Sequence, residues 1–225
     1  MTDSLSIDAQ QTLAGLATRF AGAARVFQRH GLDFCCGGQV TLGDACRNRR
    51  LDVGAVVDDL QRELRTVADG ERWDDRPLPQ LIDHLLRHYH DAHRRVLPHL
   101  LTMAAKVERV HAARADCPRG LAAHLQKVAD ELESHMRKEE QVLFPMLRAG
   151  HGSHAVGPIQ VMEAEHHEFG ADLARLRELA HGYAPPAGAC NTWRALLLGL
   201  EEFERDAMRH IHLENHVLFP RVLNA

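Results

Sequence analysis

One stretch of this chain occurs twice. His135-Met136-Arg137-Lys138-Glu139 is followed by Val142-Leu143-Phe144-Pro145, and His210-Ile211-His212-Leu213-Glu214 by Val217-Leu218-Phe219-Pro220. In a helix, positions i and i+4 share a face, so each copy presents an imidazole beside a carboxylate. The surrounding apolar residues say which way that face points. Leu125, Val128, Leu132, His135, Glu139, Val142 and Met146 step by three and four, and so do Leu196, Leu200, Phe203, Ala207, His210, Glu214 and Val217. Both pairs therefore fall on the stripe expected to face the core. A carboxylate driven into an apolar interior needs a partner, a proton or a metal, and the same stripe supplies imidazoles.

The repeat extends upstream. His90 precedes His135, in the series Ile82, Leu86, His90, His93, Leu97 and Leu100, by nearly the spacing at which His166 precedes His210, in Ile159, Met162, His166, Phe169 and Leu173. Each half is then a helix with an inward His followed by a helix with an inward His-x-x-x-Glu. Two such hairpins predict an all-α, up-down-up-down four-helix bundle, and inward His and Glu from facing helices are how such bundles build dinuclear iron sites.

The rest of the chain fits one such domain and a smaller one. Its 225 residues suffice for one large or two small domains, and all 17 histidines except His30 lie beyond residue 80. Residues 1–70 read as a small helical domain. Within it a helix is expected over 8–30 with Gly31 as a left-handed cap, Asp33-Phe34-Cys35-Cys36-Gly37-Gly38 forms a tight turn, Thr41-x-x-Asp44 opens a short helix, and Asp52 caps another. Residues 71–76 read as a linker ahead of Pro77. The bundle occupies 77–225, with long helices over 77–113, 120–148, 158–181 and 192–220. Pro98 is expected to bend the first of these.

A net charge of −4 provides no basic field for nucleic acid or anionic lipid. There is no apolar run long enough to cross a membrane and no signal-peptide pattern at Met1-Thr2-Asp3-Ser4, so a soluble, cytoplasmic protein is expected. Five cysteines, two of them adjacent, point to reduced thiols rather than a disulfide framework.

Asp33-Phe34-Cys35-Cys36-Gly37-Gly38, Tyr89-His90-Asp91, Ser134-His135-Met136 with Lys138-Glu139-Glu140, Glu163-Ala164-Glu165-His166, and His210 with Leu213-Glu214-Asn215 together resemble the repair-of-iron-centres proteins. These are hemerythrin-like di-iron proteins with a cysteine-containing, ScdA-type N-terminal domain. The resemblance implies two iron ions in a non-haem, oxo- and carboxylate-bridged centre. His90, His135, His166 and His210 would be terminal ligands, and Glu139 and Glu214 bridges. It also implies a role in protecting or repairing iron-sulfur clusters damaged by nitrosative or oxidative stress, by donating iron, with damaged iron-sulfur proteins as transient partners and nitric oxide or oxygen as small ligands. The alternatives are a di-iron nitric oxide reductase or scavenger that makes nitrous oxide, and an oxygen or iron sensor. Oxygen-carrying hemerythrins have a second His where this chain has Gly170, and an Asp five residues after the last His in place of Glu214. Fewer imidazoles favour iron transfer or redox work over oxygen carriage.

Glu165 and His93 are expected in the outer shell of the site, and Cys35 and Cys36 as candidates for transient iron binding. Along a continuous helix His111 would lie about 31 Å from His90, which leaves it out of the ligand set. His84, His88, His99, His124, His212 and His216 read as surface residues. The sequence leaves both monomer and homodimer open.

Overall fold

A computed structural model describes residues 7–20, 22–66 and 73–224. The described residues are helical and contain no strand, only an isolated bridge between Thr12 and Thr41. The chain divides into two compact units, Met1–Leu81 with Met208–Asn224, and Ile82–Ala207.

The first unit opens with α1 (Leu13–Arg19) and α2 (Ala23–Arg29). The single helix expected over 8–30 is broken, because Phe20 takes an extended conformation (φ −128°, ψ 107°) and Gly22 caps a new start. Phe20 and Phe27 both reach the core from the two short helices. Gly31 has φ 65°, the left-handed turn expected there. Thr41 caps α3 (Leu42–Arg49), its Oγ1 accepting from Asp44 N at 3.1 Å, and Asp52 Oδ1 accepts from Gly54 N at the start of α4 (Val53–Thr66). Residues 71 and 72 of the expected linker lie outside the described residues. Further on, Arg221 donates to the carbonyls of Trp73 and Arg76.

The second unit holds the four-helix bundle. Its long helices are α6 (Asp91–Val110), α7 (Leu121–Lys138), α9 (Val156–Leu179) and the greater part of α10 (Asn191–Leu213). Short α8 (Phe144–Arg148) follows α7 in this unit, α5 (Leu78–His84) spans the division between the units, and α11 (Phe219–Leu223) belongs to the first. Paired residues fix the directions. Arg94 with Glu133 and Glu108 with Ala122 run α6 against α7, while Lys127 with Asp172 and His135 with Glu165 run α7 against α9. His93 beside Phe203 and His111 beside Trp193 run α6 against α10. Neighbouring helices are therefore antiparallel, as short connections require. Leu100, Leu125, Leu132, Leu173, Leu196 and Leu200 fill the space between them. Pro98 lies inside α6 without ending it.

The helices are not regular throughout. Three π-helical turns interrupt them, at Leu85–His90, Glu139–Leu143 and Glu214–Leu218. In each copy of the repeat the N–H of the phenylalanine reaches back five residues, from Phe144 to the Glu139 carbonyl and from Phe219 to the Glu214 carbonyl. The proline that follows has no N–H and would crowd the carbonyl four residues back, so a wider turn ahead of it relieves the clash. The inserted residue shifts the phase of the stripe. Leu143 and Leu147 are buried where Val142 and Met146 were expected, and Val142 is 50% exposed. The last helix also runs past Pro220, which sits in the first turn of α11, instead of stopping there.

Candidate metal centre

In the second unit, Glu139 opens the π turn that continues α7 and is fully buried. Its Oε2 lies 3.3 Å from His90 Nε2 and its Oε1 3.5 Å from His135 Nε2. His166 Nε2, from α9, lies 3.0 Å from His135 Nε2. Ligand atoms of His135, Glu139 and His166 all lie within 4.8 Å of one another. Three helical segments thus bring three buried imidazoles and one carboxylate together.

Outer groups decide which ring nitrogen faces inward. His90 Nδ1 is 2.8 Å from Glu140 Oε1, and His135 Nδ1 is 2.9 Å from Glu165 Oε2. A carboxylate only accepts, so each Nδ1 carries the proton and each Nε2 is the nitrogen turned toward Glu139. Both outer carboxylates are themselves held ionised. Burial opposes the charge on Glu140, but hydrogen bonds from Arg94 and His90 outweigh it and keep the carboxyl below its ordinary range. For Glu165 burial is likewise outweighed, by Lys138 and then His135. Arg94 is shared between Glu140 (2.7 Å) and Glu133 (2.8 Å), which fixes it along α7.

In the first unit the second copy of the repeat has the same form. His210 Nε2 lies 3.1 Å from Glu214 Oε1, and both side chains are buried. Just beyond, Asn215 Nδ2 and His216 Nε2 both donate to the carbonyl of Cys35, at 3.1 and 2.9 Å. His212 is buried, not on the surface as its spacing implied. Its ring packs against Phe34, and its Nδ1 donates to the Phe34 carbonyl at 3.4 Å while Nε2 faces Thr18 Oγ1 at 3.2 Å. Burial, with neighbouring His216 adding to it, pushes His212 down to about 3, so it is a neutral, structural imidazole.

Nitrogen and carboxylate donors of this kind suit iron, zinc and other first-row cations. A buried carboxylate faced by Nε2 atoms whose Nδ1 protons are committed elsewhere is a setting that a cation makes favourable. His93 is buried against Phe203 and Tyr89, one turn beyond His90. His111 caps α6 beside Cys190 (3.3 Å) and Trp193, away from the His and Glu cluster. Cys35 and Cys36 are not joined by a disulfide and lie next to Asp33 in the turn after α2. The spacing did not reveal Glu140 or Arg94. Both act across a helix interface, and neither lies on the apolar stripe.

Residues 81–222 match the hemerythrin HHE cation binding domain, and residues 9–64 match ScdA_N, a domain of unknown function (DUF542). The chain is 50% identical over 213 residues to the iron-sulfur cluster repair protein YtfE of Yersinia pseudotuberculosis serotype IB (strain PB1/+), covering 95% of this chain and 96% of the relative. The protein of the same name from Yersinia pestis (strain Pestoides F) is similar to the same extent.

Proposed function

Because this chain belongs to the hemerythrin HHE cation-binding family and shares half its residues with iron-sulfur cluster repair proteins along nearly its whole length, we propose that it binds two iron ions and donates iron to damaged iron-sulfur clusters. In this reading His90, His135, His166 and His210 are terminal ligands, Glu139 and Glu214 are bridges, residues 1–70 form an accessory domain, 71–76 a linker and 77–225 the iron-binding domain. The observation that carries it is Glu139, buried, with one oxygen turned to His90 and the other to His135. A carboxylate with a nitrogen donor on each oxygen is built to bridge two cations. The matching His210 and Glu214 pair supports a second bridge.

Four imidazoles and two carboxylates give each iron few protein bonds. Iron held by these residues would supply redox chemistry and, with few protein bonds to break, could be handed on. The protein's part is positional: Glu140 and Glu165 hold the rings, and the apolar core excludes bulk water. The clients in this reading are iron-sulfur proteins. The proposed compartment is the cytoplasm, which agrees with five cysteines outside any disulfide. Among the described residues no helix is long and apolar enough to cross a membrane.

The test pairs iron analysis with transfer. Wild-type protein loaded with iron is expected to restore activity to a client enzyme whose cluster nitric oxide has damaged, losing iron as it does so. The Glu139→Ala/Glu214→Ala variant is expected to hold no iron in the bundle and restore nothing. Equal recovery with that variant overturns donation. Nitrous oxide released over many turnovers from nitric oxide, with no loss of iron, would make the protein a reductase instead.

A further inference from the structure

We propose a second cation site, made by Asp33, Cys35 and Cys36, that binds a thiophilic divalent transition cation through two thiolates and a carboxylate. The three side chains come from one turn, and ligand atoms of all three lie within 4.8 Å of one another. Their spacing is that of a coordination sphere. Metal–sulfur bonds of about 2.3 Å and metal–oxygen bonds of about 2.1 Å in a tetrahedron put two sulfurs about 3.8 Å apart and sulfur and oxygen about 3.6 Å apart. Cys35 Sγ lies 3.7 Å from Cys36 Sγ and 3.3 Å from Asp33 Oδ1. Little movement is needed to seat an ion.

The turn is set before any ion arrives. Asp33 Oδ1 accepts from the N–H of Cys35 (3.1 Å) and of Cys36 (2.9 Å), and Oδ2 accepts from Gly37 N (3.0 Å). The Cys35 carbonyl is fixed from the other side by Asn215 and His216. Cys35 is buried, Cys36 half-buried and Asp33 exposed, so the cluster opens to solvent on one side. Three ligands from one short loop leave a position for exchange. The hydrogen bond with Cys36, burial and the nearby Asp33 charge hold the Cys35 thiol well above its ordinary value. A divalent cation removes that cost by replacing protons: two thiols bind one ion and release two protons, with no change of oxidation state. Thiolate donors select iron(II), zinc(II) or cobalt(II) over magnesium or calcium.

The role of the site follows from its anchor. Asn215 and His216 directly follow Glu214, so an ion in the turn rests on the segment that supplies a proposed iron ligand. The identity of the cargo as iron rests on the function proposed above; the existence of the site does not. In that reading it is a site that holds iron(II) exchangeably.

Cobalt(II) serves as the probe, titrated anaerobically into the full-length reduced protein. The readouts are thiolate-to-cobalt charge-transfer absorption and cobalt bound per chain. Wild type is expected to show the band. Cys36→Ser should keep half of it or less, and Cys35→Ser/Cys36→Ser should lose it and bind one equivalent less. Because Cys36 is only half-buried, the single variant reports even if the double variant fails to fold. Cys190→Ser should leave the band intact. A band that survives in Cys36→Ser undiminished, or that disappears in Cys190→Ser, overturns the proposal as adventitious thiol binding. With Glu139→Ala/Glu214→Ala, the band is expected to persist while the bundle's cobalt is lost. If that variant binds as much cobalt as wild type and keeps the band, the six-ligand reading fails and the thiolate site stands.

Discussion

Glu165, on α9, accepts a hydrogen bond from Nδ1 of His135, on α7, at 2.9 Å. The contact fixes the ring so that Nε2 faces Glu139, and it makes that nitrogen more basic. Glu165→Gln keeps the shape and removes the charge. It is expected to weaken iron binding roughly 10–100-fold, with little change in the fold. Competition against a chelator of known affinity measures it, with wild-type circular dichroism as the structural control.

Iron should also be a structural element. A ligand that binds only the folded state stabilises by about 2.7 kcal/mol when free ligand is 100 times its dissociation constant. Chelation is expected to lower the unfolding midpoint of wild type. The Glu139→Ala/Glu214→Ala variant should lose most of that response to chelator and to added iron. A chelator-induced drop of equal size in both would place the stabilising ion elsewhere.

Glu204, on α10, is buried and receives hydrogen bonds from Arg177 (2.5 Å), in the last turn of α9, and from the Tyr183 hydroxyl (2.5 Å). Burial, and then the Glu204 charge, push Tyr183 far above the ordinary tyrosine range. A phenol that stays protonated when folded contributes stability fully below its unfolded pKa of about 10. That stability is lost as pH rises above this value, because the unfolded chain ionises and the folded one does not. Melting midpoints are expected to fall between pH 9 and pH 11 on a slope that Tyr183→Phe reduces. Unchanged slope in that variant would assign the alkaline loss to other groups.

Two glycines make opposite predictions. A Cβ on Gly38 would run into the backbone carbonyl of Phe34 and lie 2.8 Å from His216 Nε2 and 2.9 Å from Ala14 Cβ. The carbonyl cannot move, so Gly38→Ala should destabilise by roughly 1–3 kcal/mol or more. On Gly199, mid-helix in α10, the close atom is Leu100 Cδ2 at 2.7 Å, the mobile end of a side chain. The helix gains about 1 kcal/mol from Gly→Ala, which offsets the adjustment of Leu100. Denaturant midpoints of the two variants, measured side by side, check both.

Much of the architecture was legible because periodicity is a local property. The steps of three and four that carry His135, His166 and His210 inward survive in the structure, as do Thr41 and Asp52 as helix caps and Gly31 as a left-handed turn, while His90 is buried at the end of a π turn that puts Leu85 in the core in place of the expected Leu86. Where the reading failed, a local irregularity had changed the count. The break at Phe20 split one helix into two, and the π turn after Glu139 moved Leu143 and Leu147 into the places expected for Val142 and Met146. His212 was misread as a surface residue because its neighbour, the Phe34 turn, is remote in the chain.

The sequence by itself determined which side chains are driven inward, since a helix converts spacing into direction and burial selects the apolar face that carries each His and Glu. It could not determine which imidazole nitrogen points at Glu139. That was decided by Glu140 and Glu165, whose reach depends on how α6, α7 and α9 pack. Nor could spacing tie Cys35 to Asn215 and His216, because hydrogen bonds between residues far apart in the chain exist only after folding brings their backbones together.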